Sequence, residues 1–132
     1  MAALGEAQSS THVDSMRMAA RRHIDQKGVY AVHRLTMQDG SQVLEYASSG
    51  GVVFAVSWKT QYKPNVAALL GSSYPSYAVA VRAQGQRGGI QRHFLHEGSD
   101  LVVKSHAHLN VFSGVAYRRS LLPAGLRPDQ IE

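Results

Sequence analysis

The sequence predicts an α+β domain in which helices pack on one antiparallel sheet. Two observations indicate this class: segments with a helical period alternate with strand-like runs, and glycine-rich turns separate those runs. The chain has 132 residues, of which 44% are hydrophobic. A chain of this length buries roughly two-thirds of its unfolded surface, which is enough for a packed core. We expect residues 1–8 to be a mobile tail, because they show no periodicity, and residues 9–132 to form a single domain.

The first predicted element is an N-terminal helix within residues 9–28. Ser10 or Thr11 can cap its first turn, where the carboxylate of Asp14 suits the positive end of the helix dipole. Apolar side chains then recur at intervals of three and four residues: Val13, Met16, Ala20 and Ile24. Gly28 is a suitable residue to end the helix.

A three-stranded antiparallel meander is predicted next. The first run, Val29–Met37, alternates between two faces and ends at Asp39-Gly40, a strong hairpin-turn signal. The second run is Gln42–Ser48. A glycine turn leads to the third run, Val52–Lys59, which is almost continuously apolar, as expected for a central strand.

The remainder of the chain predicts a helical segment followed by two or three further antiparallel strands. The helical period returns between residues 62 and 83, and Pro75 favours a short helix followed by a longer one, or one kinked helix. Two strands are predicted at Leu101–Ser105 and Leu109–Tyr117, whereas the pattern of residues 90–100 is ambiguous.

Charge and composition narrow the classes of partner. The 14 Lys and Arg residues against 9 Asp and Glu residues give a formal charge of +5, which favours anionic partners. However, adjacent basic pairs occur only at Arg21-Arg22 and Arg118-Arg119, so we expect no nucleic-acid partner. No apolar run approaches the ~20 residues of a membrane span, so the chain is not expected to be transmembrane. We expect a monomer.

The sequence shows no arrangement typical of a catalytic site. No serine lies in a Gly-x-Ser-x-Gly or Ser-x-x-Lys motif, and no carboxylates are paired for acid–base work. The absence of cysteine excludes disulfides, thiolate zinc sites and cysteine nucleophiles. We therefore expect neither enzymatic activity nor a cofactor. A hydrolase is a remote alternative, and it would need a buried histidine with a perturbed pKa, such as His33.

Four histidines are the candidate metal ligands: His93, His96, His106 and His108. Residues 106 and 108 share one face if they lie on a strand, about 7 Å apart at Cα, and neutral imidazole is a common metal ligand. The alternative is that residues 106–108 form the bend between two strands and expose both rings to water. The deciding geometric question is whether residue 93 or residue 96 folds back within reach of them. A small-ligand or metal-binding protein is thus one functional hypothesis.

Seven segments together resemble a known family. They are Ala-Leu-Gly near the start, Tyr30–Thr36, Leu44–Trp58, Leu69–Gly71, Asp100–Ser105, Phe112–Ala116 and Leu121–Gly125. This order of motifs is similar to that of small uncharacterised proteobacterial proteins that share a domain of unknown function. The resemblance implies export, with a signal peptide cleaved just before the Ala-Leu-Gly stretch. It implies no catalytic residue, because the family has no assigned activity. We therefore expect a non-enzymatic interaction module, periplasmic or secreted, that binds a protein or the envelope.

Overall fold

The computed structural model describes residues 4–5, 21–62, 64, 66–83, 93–128 and 131. Within these residues, seven strands form one antiparallel sheet in the order β1-β2-β3-β4-β7-β6-β5. The strands are β1 (Arg21–Gln26), β2 (Tyr30–Thr36), β3 (Gln42–Ser48), β4 (Val53–Thr60), β5 (His93–Glu97), β6 (Leu101–His108) and β7 (Val111–Arg118). Between β4 and β5 lies one helical segment, made of α1 (Val66–Leu70), a 3₁₀ turn (Gly71–Ser73) and α2 (Tyr74–Ala83). A second 3₁₀ turn, Arg119–Leu121, follows β7.

The predicted class, α+β with an N-terminal helix and helices packed on the sheet, is wrong. The described residues form mostly sheet. They contain one helical segment, residues 66–83, instead of the several helices that were predicted. Where the predicted N-terminal helix overlaps the described residues, Arg21–Gln26 is strand β1. The rest of that predicted helix, residues 9–20, lies outside the described residues.

Pairing with β2 explains why residues 21–26 form a strand. β1 runs antiparallel to β2, with Ile24 opposite His33, so the two strands satisfy each other's backbone groups. Such strand pairing outweighs a helical period that extends over only a few residues. Gly28 ends no helix; its φ of 82° places it in the tight turn before β2, where the N–H of Lys27 donates to the carbonyl of Tyr30.

The predicted meander and the predicted helical segment are confirmed. Strands β2, β3 and β4 pair consecutively and antiparallel. In the turn between β2 and β3, Gly40 has a φ of 88° and the backbone N–H of Ser41 donates to the carboxylate of Asp39. The helical segment is a short helix followed by a longer one, with the 3₁₀ turn between them.

The sheet consists of two halves, β1–β4 and β5–β7, joined where β4 pairs with β7. At this seam Trp58 lies opposite Gly114. A Cβ added at position 114 would lie 2.4 Å from Cζ2 of Trp58 and 2.8 Å from the carbonyl oxygen of Lys104. Glycine is therefore required there, because the indole ring lies directly over the backbone of β7.

Each face of the sheet carries its own hydrophobic cluster. We call one face the helical face, because side chains such as Leu35 and Val103 share their cluster with Leu69 and Leu70 of α1. The opposite face is the C-terminal face, where side chains including Val32, Tyr46, Phe54 and Tyr117 share a cluster with Ile131. The side chains of the sheet are thus divided between two separate cores.

The chain start is held against the sheet at two positions within the segment 1–8. Leu4 is fully buried, and its backbone N–H donates to the carbonyl of Leu69 at 3.1 Å. The N–H of Gly5 donates to the carbonyl of Val53 at 2.7 Å. These two residues therefore link the start of the chain to α1 and to β4.

Candidate functional site

The β5–β6 hairpin brings together three of the four candidate histidines. Strand β6 extends through His108, and the turn follows at residues 109–110, where the exposed Leu109 has a positive φ of 54°. The interpretation of residues 106–108 as the bend between strands is therefore wrong, because β6 is longer than its apolar part. His106 lies directly opposite His93 of β5. Alternation and register place residues 93, 106 and 108 together on the C-terminal face.

The imidazole rings of His93 and His106 are in direct contact. Their Nδ1 atoms are 3.0 Å apart, so the N–H of one ring donates to the lone pair of the other. The ring centroids are 4.4 Å apart, and the ring of His108 stacks 6.2 Å from that of His106. All three side chains are exposed. We call residues 93, 106 and 108 the histidine cluster.

The fourth candidate, His96, lies on the opposite face. It pairs with Val103, which belongs to the core of the helical face. Its Nε2 lies 2.7 Å from where a Cβ at Gly98 would be, so it stands over the turn between β5 and β6. Within the described part of the chain, no group of three or more metal-ligating side chains is arranged to hold one ion. As it stands, the histidine cluster is a pair of imidazoles with a third nearby.

A polar cleft of about 440 Å³ lies beside His96. Its lining includes Ser72, Ser73, Ser76, His96, Asp100 and Arg118. These residue types include those of a serine-hydrolase triad, but both carboxylate oxygens of Asp100 already have donors. The backbone N–H of Ser120 donates to Oδ1 at 2.9 Å, and Nε of Arg118 donates to Oδ2 at 2.8 Å. Asp100 therefore holds the end of β7 in place.

Hydrogen bonds explain why the pKa of Asp100 is lowered to about 2. The largest cause is the backbone N–H of Ser120, and the guanidinium of Arg118 adds to it, whereas desolvation acts in the opposite direction. The carboxylate is consequently ionised at any physiological pH.

An apolar groove of about 570 Å³ runs along the C-terminal face next to the histidine cluster. It is lined by Lys104, Val115, Tyr117, Arg127, Pro128 and Ile131. Lys104 connects the two features, because it lies two residues before His106 on the same face of β6. The C-terminal face of the β5–β7 half thus presents imidazoles, an ammonium group and apolar surface side by side.

A comparison with known protein families gives a match that covers nearly the whole chain. A family model described as "Protein of unknown function (DUF2844)" matches residues 1–131. The chain belongs to this family. The expected resemblance to a domain of unknown function is thereby confirmed, whereas neither the curated proteins nor the solved structures gave a match. Among the helices described, none is both long and apolar enough to cross a membrane.

This DUF2844 protein also buries a carboxylate that the sequence analysis did not single out. Glu45 of β3 is completely buried and lies opposite His33 of β2, which is only 4% exposed. Burial lowers the pKa of His33, and the positive charge of Arg22 lowers it further. The signal was present in the sequence, because Glu45 occupies the same strand face as Val43 and Ala47. Neither His33 nor Glu45 lines the polar cleft or the apolar groove.

Proposed function

We propose that this DUF2844 protein is a non-enzymatic interaction module of the bacterial envelope, periplasmic or secreted. It binds an extended acidic segment of a partner protein along the outer edge of β1. The observation that carries the proposal is the position of β1 at one end of the sheet. Among the described residues, β2 is the only strand that pairs with β1, so the opposite edge of β1 can accept a further strand.

The hairpin between β1 and β2 determines which backbone groups of β1 face outward. The N–H of Lys27 donates to the carbonyl of Tyr30, so residues 27 and 30 occupy a hydrogen-bonded position of the ladder. Hydrogen-bonded and non-hydrogen-bonded positions alternate in an antiparallel pair, so residues 21, 23 and 25 also bond to β2. The residues whose N–H and C=O groups point away from β2 are therefore Arg22, Ile24 and Gln26.

Charge determines the kind of segment that fits this edge. Residues 21–36 contain four Lys and Arg residues against a single acidic residue, Asp25. The carboxylate of Asp25 already contacts His23, with Oδ1 2.9 Å from Nε2. Charged edge residues oppose the addition of a strand of like charge, whereas cross-strand pairs of opposite charge are stabilising. Arg21 and Arg22, which are adjacent on β1, therefore favour an acidic partner segment.

The opposite end of the sheet is less suited to strand addition. Leu95, in the middle of β5, already has a further interaction. By contrast, Ile24 in β1 is 40% exposed, and an apolar side chain of the added strand would cover it. We therefore place strand addition at β1.

The proposal of export rests on the resemblance, which implies a signal peptide before the Ala-Leu-Gly stretch. Localisation is tested by fractionating cells that carry the native gene and probing each fraction with an antibody. Recovery with the periplasm or the medium supports the proposal, whereas recovery with cytoplasmic markers contradicts it.

Strand addition is tested by removing a single outward-facing N–H from β1. Gln26→Pro deletes that donor without breaking a bond to β2, and proline is tolerated on the open side of an edge strand. Gln26→Ala is the matched control, because it removes the same side chain and keeps the N–H. Envelope proteins retained by the wild-type protein are identified, and their affinity for each variant is measured. We expect Gln26→Pro to weaken binding at least about tenfold and Gln26→Ala to leave it nearly unchanged.

The preference for an acidic segment is tested by reversing one charge on the edge. Arg21→Glu changes the charge of β1, and Lys59→Glu is the control, because Lys59 is an exposed cation of the central strand β4. We expect Arg21→Glu to weaken binding about tenfold at low ionic strength and less at high salt, and Lys59→Glu to have little effect. Equal weakening by both reversals would contradict recognition at the edge of β1.

Backbone amide exchange provides a further measurement, because it reports the site directly. The purified partner should slow exchange of the amides of Ile24 and Gln26, whereas those of His23 and Asp25 are already bonded to β2. Protection that appears only elsewhere, equal binding by the two Gln26 variants, or retention of no envelope protein by the wild type would contradict strand addition. Turnover of a substrate abolished by mutation in the polar cleft would contradict the non-enzymatic assignment.

A further inference from the structure

We propose that His93 and His106 bind one divalent transition-metal ion between their Nδ1 atoms, with copper(II) held most tightly. His108 supplies the third imidazole when its side chain turns toward the ion. The inference uses only side chains that lie on the C-terminal face.

The distance between the two nitrogens suits a shared metal ion. Metal–imidazole bonds are about 2.0–2.1 Å long, so two coordinated nitrogens lie roughly 2.9 Å apart at a right angle and roughly 3.3 Å apart in a tetrahedron. The Nδ1 atoms of His93 and His106 are 3.0 Å apart. Strand pairing fixes the separation of the two backbones, so a small rotation of each exposed ring directs both lone pairs to one point.

The proton between the two rings has a defined destination. In the structure one imidazole donates its Nδ1 hydrogen to the other. When the ion binds, that hydrogen moves to Nε2 of the same ring, so both Nδ1 atoms carry a lone pair and both imidazoles stay neutral. The exchange replaces one hydrogen bond by two metal–nitrogen bonds and needs no charged ligand.

His108 is placed to complete a three-nitrogen site. It lies two residues beyond His106 on the same face of β6, and the two rings are nearly parallel, with an interplanar angle of 13°. Its side chain is exposed, so changing its rotamer costs little. Water occupies the remaining coordination positions, as is usual for an exposed site of this kind.

The donor set favours copper(II). Tetragonal sites made of nitrogen ligands are typical of copper(II) and nickel(II). Copper(II) also binds nitrogen ligands more tightly than the other divalent ions of the first transition row. The exposed ammonium group of Lys104, on the same face, opposes any cation, but water and salt screen it.

The test is titration of the protein, carrying no histidine tag, with copper(II) sulfate and separately with zinc chloride. Zinc leaves the NMR signals sharp, so the imidazole ¹⁵N resonances report which rings respond. We expect His93 and His106 to shift first, and copper(II) to displace zinc. Either His93→Gln or His106→Gln should weaken copper binding at least about tenfold, and His108→Gln should weaken it less.

Two histidines serve as matched controls. His96→Gln removes an imidazole from the same strand but from the opposite face. His23→Gln removes an exposed imidazole that already contacts a carboxylate, with Nε2 2.9 Å from Oδ1 of Asp25. Both variants should bind copper like the wild-type protein. Equal affinity of the wild-type, His93→Gln and His106→Gln proteins, or equal zinc shifts at all exposed histidines, would overturn the proposal and leave adventitious surface binding only.

Discussion

The two halves of the sheet differ in the environment of a histidine that lies directly opposite another ionisable side chain. In the β1–β4 half, His33 is buried beside the fully buried Glu45. In the β5–β7 half, His93 and His106 occupy an equivalent cross-strand position, but their rings are exposed and in contact. A histidine in a cross-strand pair therefore lies in the interior of one half and on the surface of the other.

This difference indicates that the β5–β7 half is the part of the sheet whose paired histidines can bind a ligand. Burying an ionisable group costs free energy unless partners compensate for it, and His33 and Glu45 are both withdrawn from solvent. The exposed imidazoles of the second half keep their capacity to donate, accept or bind a metal ion.

The largest expected effect comes from breaking the seam between the halves. Gly114→Ala places a methyl group against the indole of Trp58 and the backbone of β6, and neither can move freely. We expect a loss of about 1–3 kcal/mol in the free energy of unfolding, measured by urea denaturation. Gly50→Ala is the control, because its Cβ would meet only Oγ of Ser48 at 3.8 Å.

Amide hydrogen exchange of Gly114→Ala tests whether the two halves of the sheet unfold together. If the seam couples the halves, amides of β1–β4 and of β5–β7 lose protection together in Gly114→Ala. Loss of protection confined to one half would show that the two meanders unfold independently.

A smaller effect is expected from Asp100, at the turn of the β5–β7 half. Its folded-state pKa of about 2 lies below the unfolded value of 3.8. The stabilisation is therefore fully present above pH 3.8 and disappears as the pH falls toward 2. Because the side chain is partly exposed, we expect Asp100→Asn to cost less than about 1 kcal/mol at neutral pH. Asp25→Asn, in β1, is the control, and identical acid denaturation of wild type and Asp100→Asn would refute the prediction.

The smallest effect concerns the buried histidine of the β1–β4 half. The pKa of His33 is lowered from 6.5, so the unfolded chain binds its proton more readily than the folded one. Stability should therefore fall as the pH drops below 6.5, until the folded-state pKa is passed. In His33→Gln this component of the pH dependence should be absent, as measured by thermal unfolding between pH 7 and pH 5. The surface variant His93→Gln should retain it; an unchanged profile in His33→Gln would contradict the assignment.

The sequence allowed much of the fold to be predicted, and the failures have physical causes. Strands β2, β3 and β4 were predictable because their alternation and their turns are local properties, as in Asp39-Gly40. The strand β1 was not, because Arg21–Gln26 becomes a strand only by pairing with β2, which no local pattern reveals. The far end of β6 was missed for a similar reason: His106 and His108 lie on the exposed face of a strand, where no apolar residue signals its continuation.

The sequence predicted which histidines belong to the candidate site but not which of them lie close together. The four histidines were found from their spacing, but only the register of β5 on β6 decides that His93 faces His106 and that His96 faces away. Glu45 was overlooked, although its place on the same strand face as Val43 and Ala47 was visible in the sequence.

By itself the sequence determined the local elements: the central meander, the two-part helical segment, the absence of thiol chemistry and the membership of the DUF2844 family. The tertiary structure alone decided the sheet order, the pairing of β4 with β7 and the contact between two imidazoles thirteen residues apart. The physical reason is that turns and side-chain periodicity are encoded by neighbouring residues. Register, by contrast, emerges only when whole strands satisfy one another's hydrogen bonds and bury a common face.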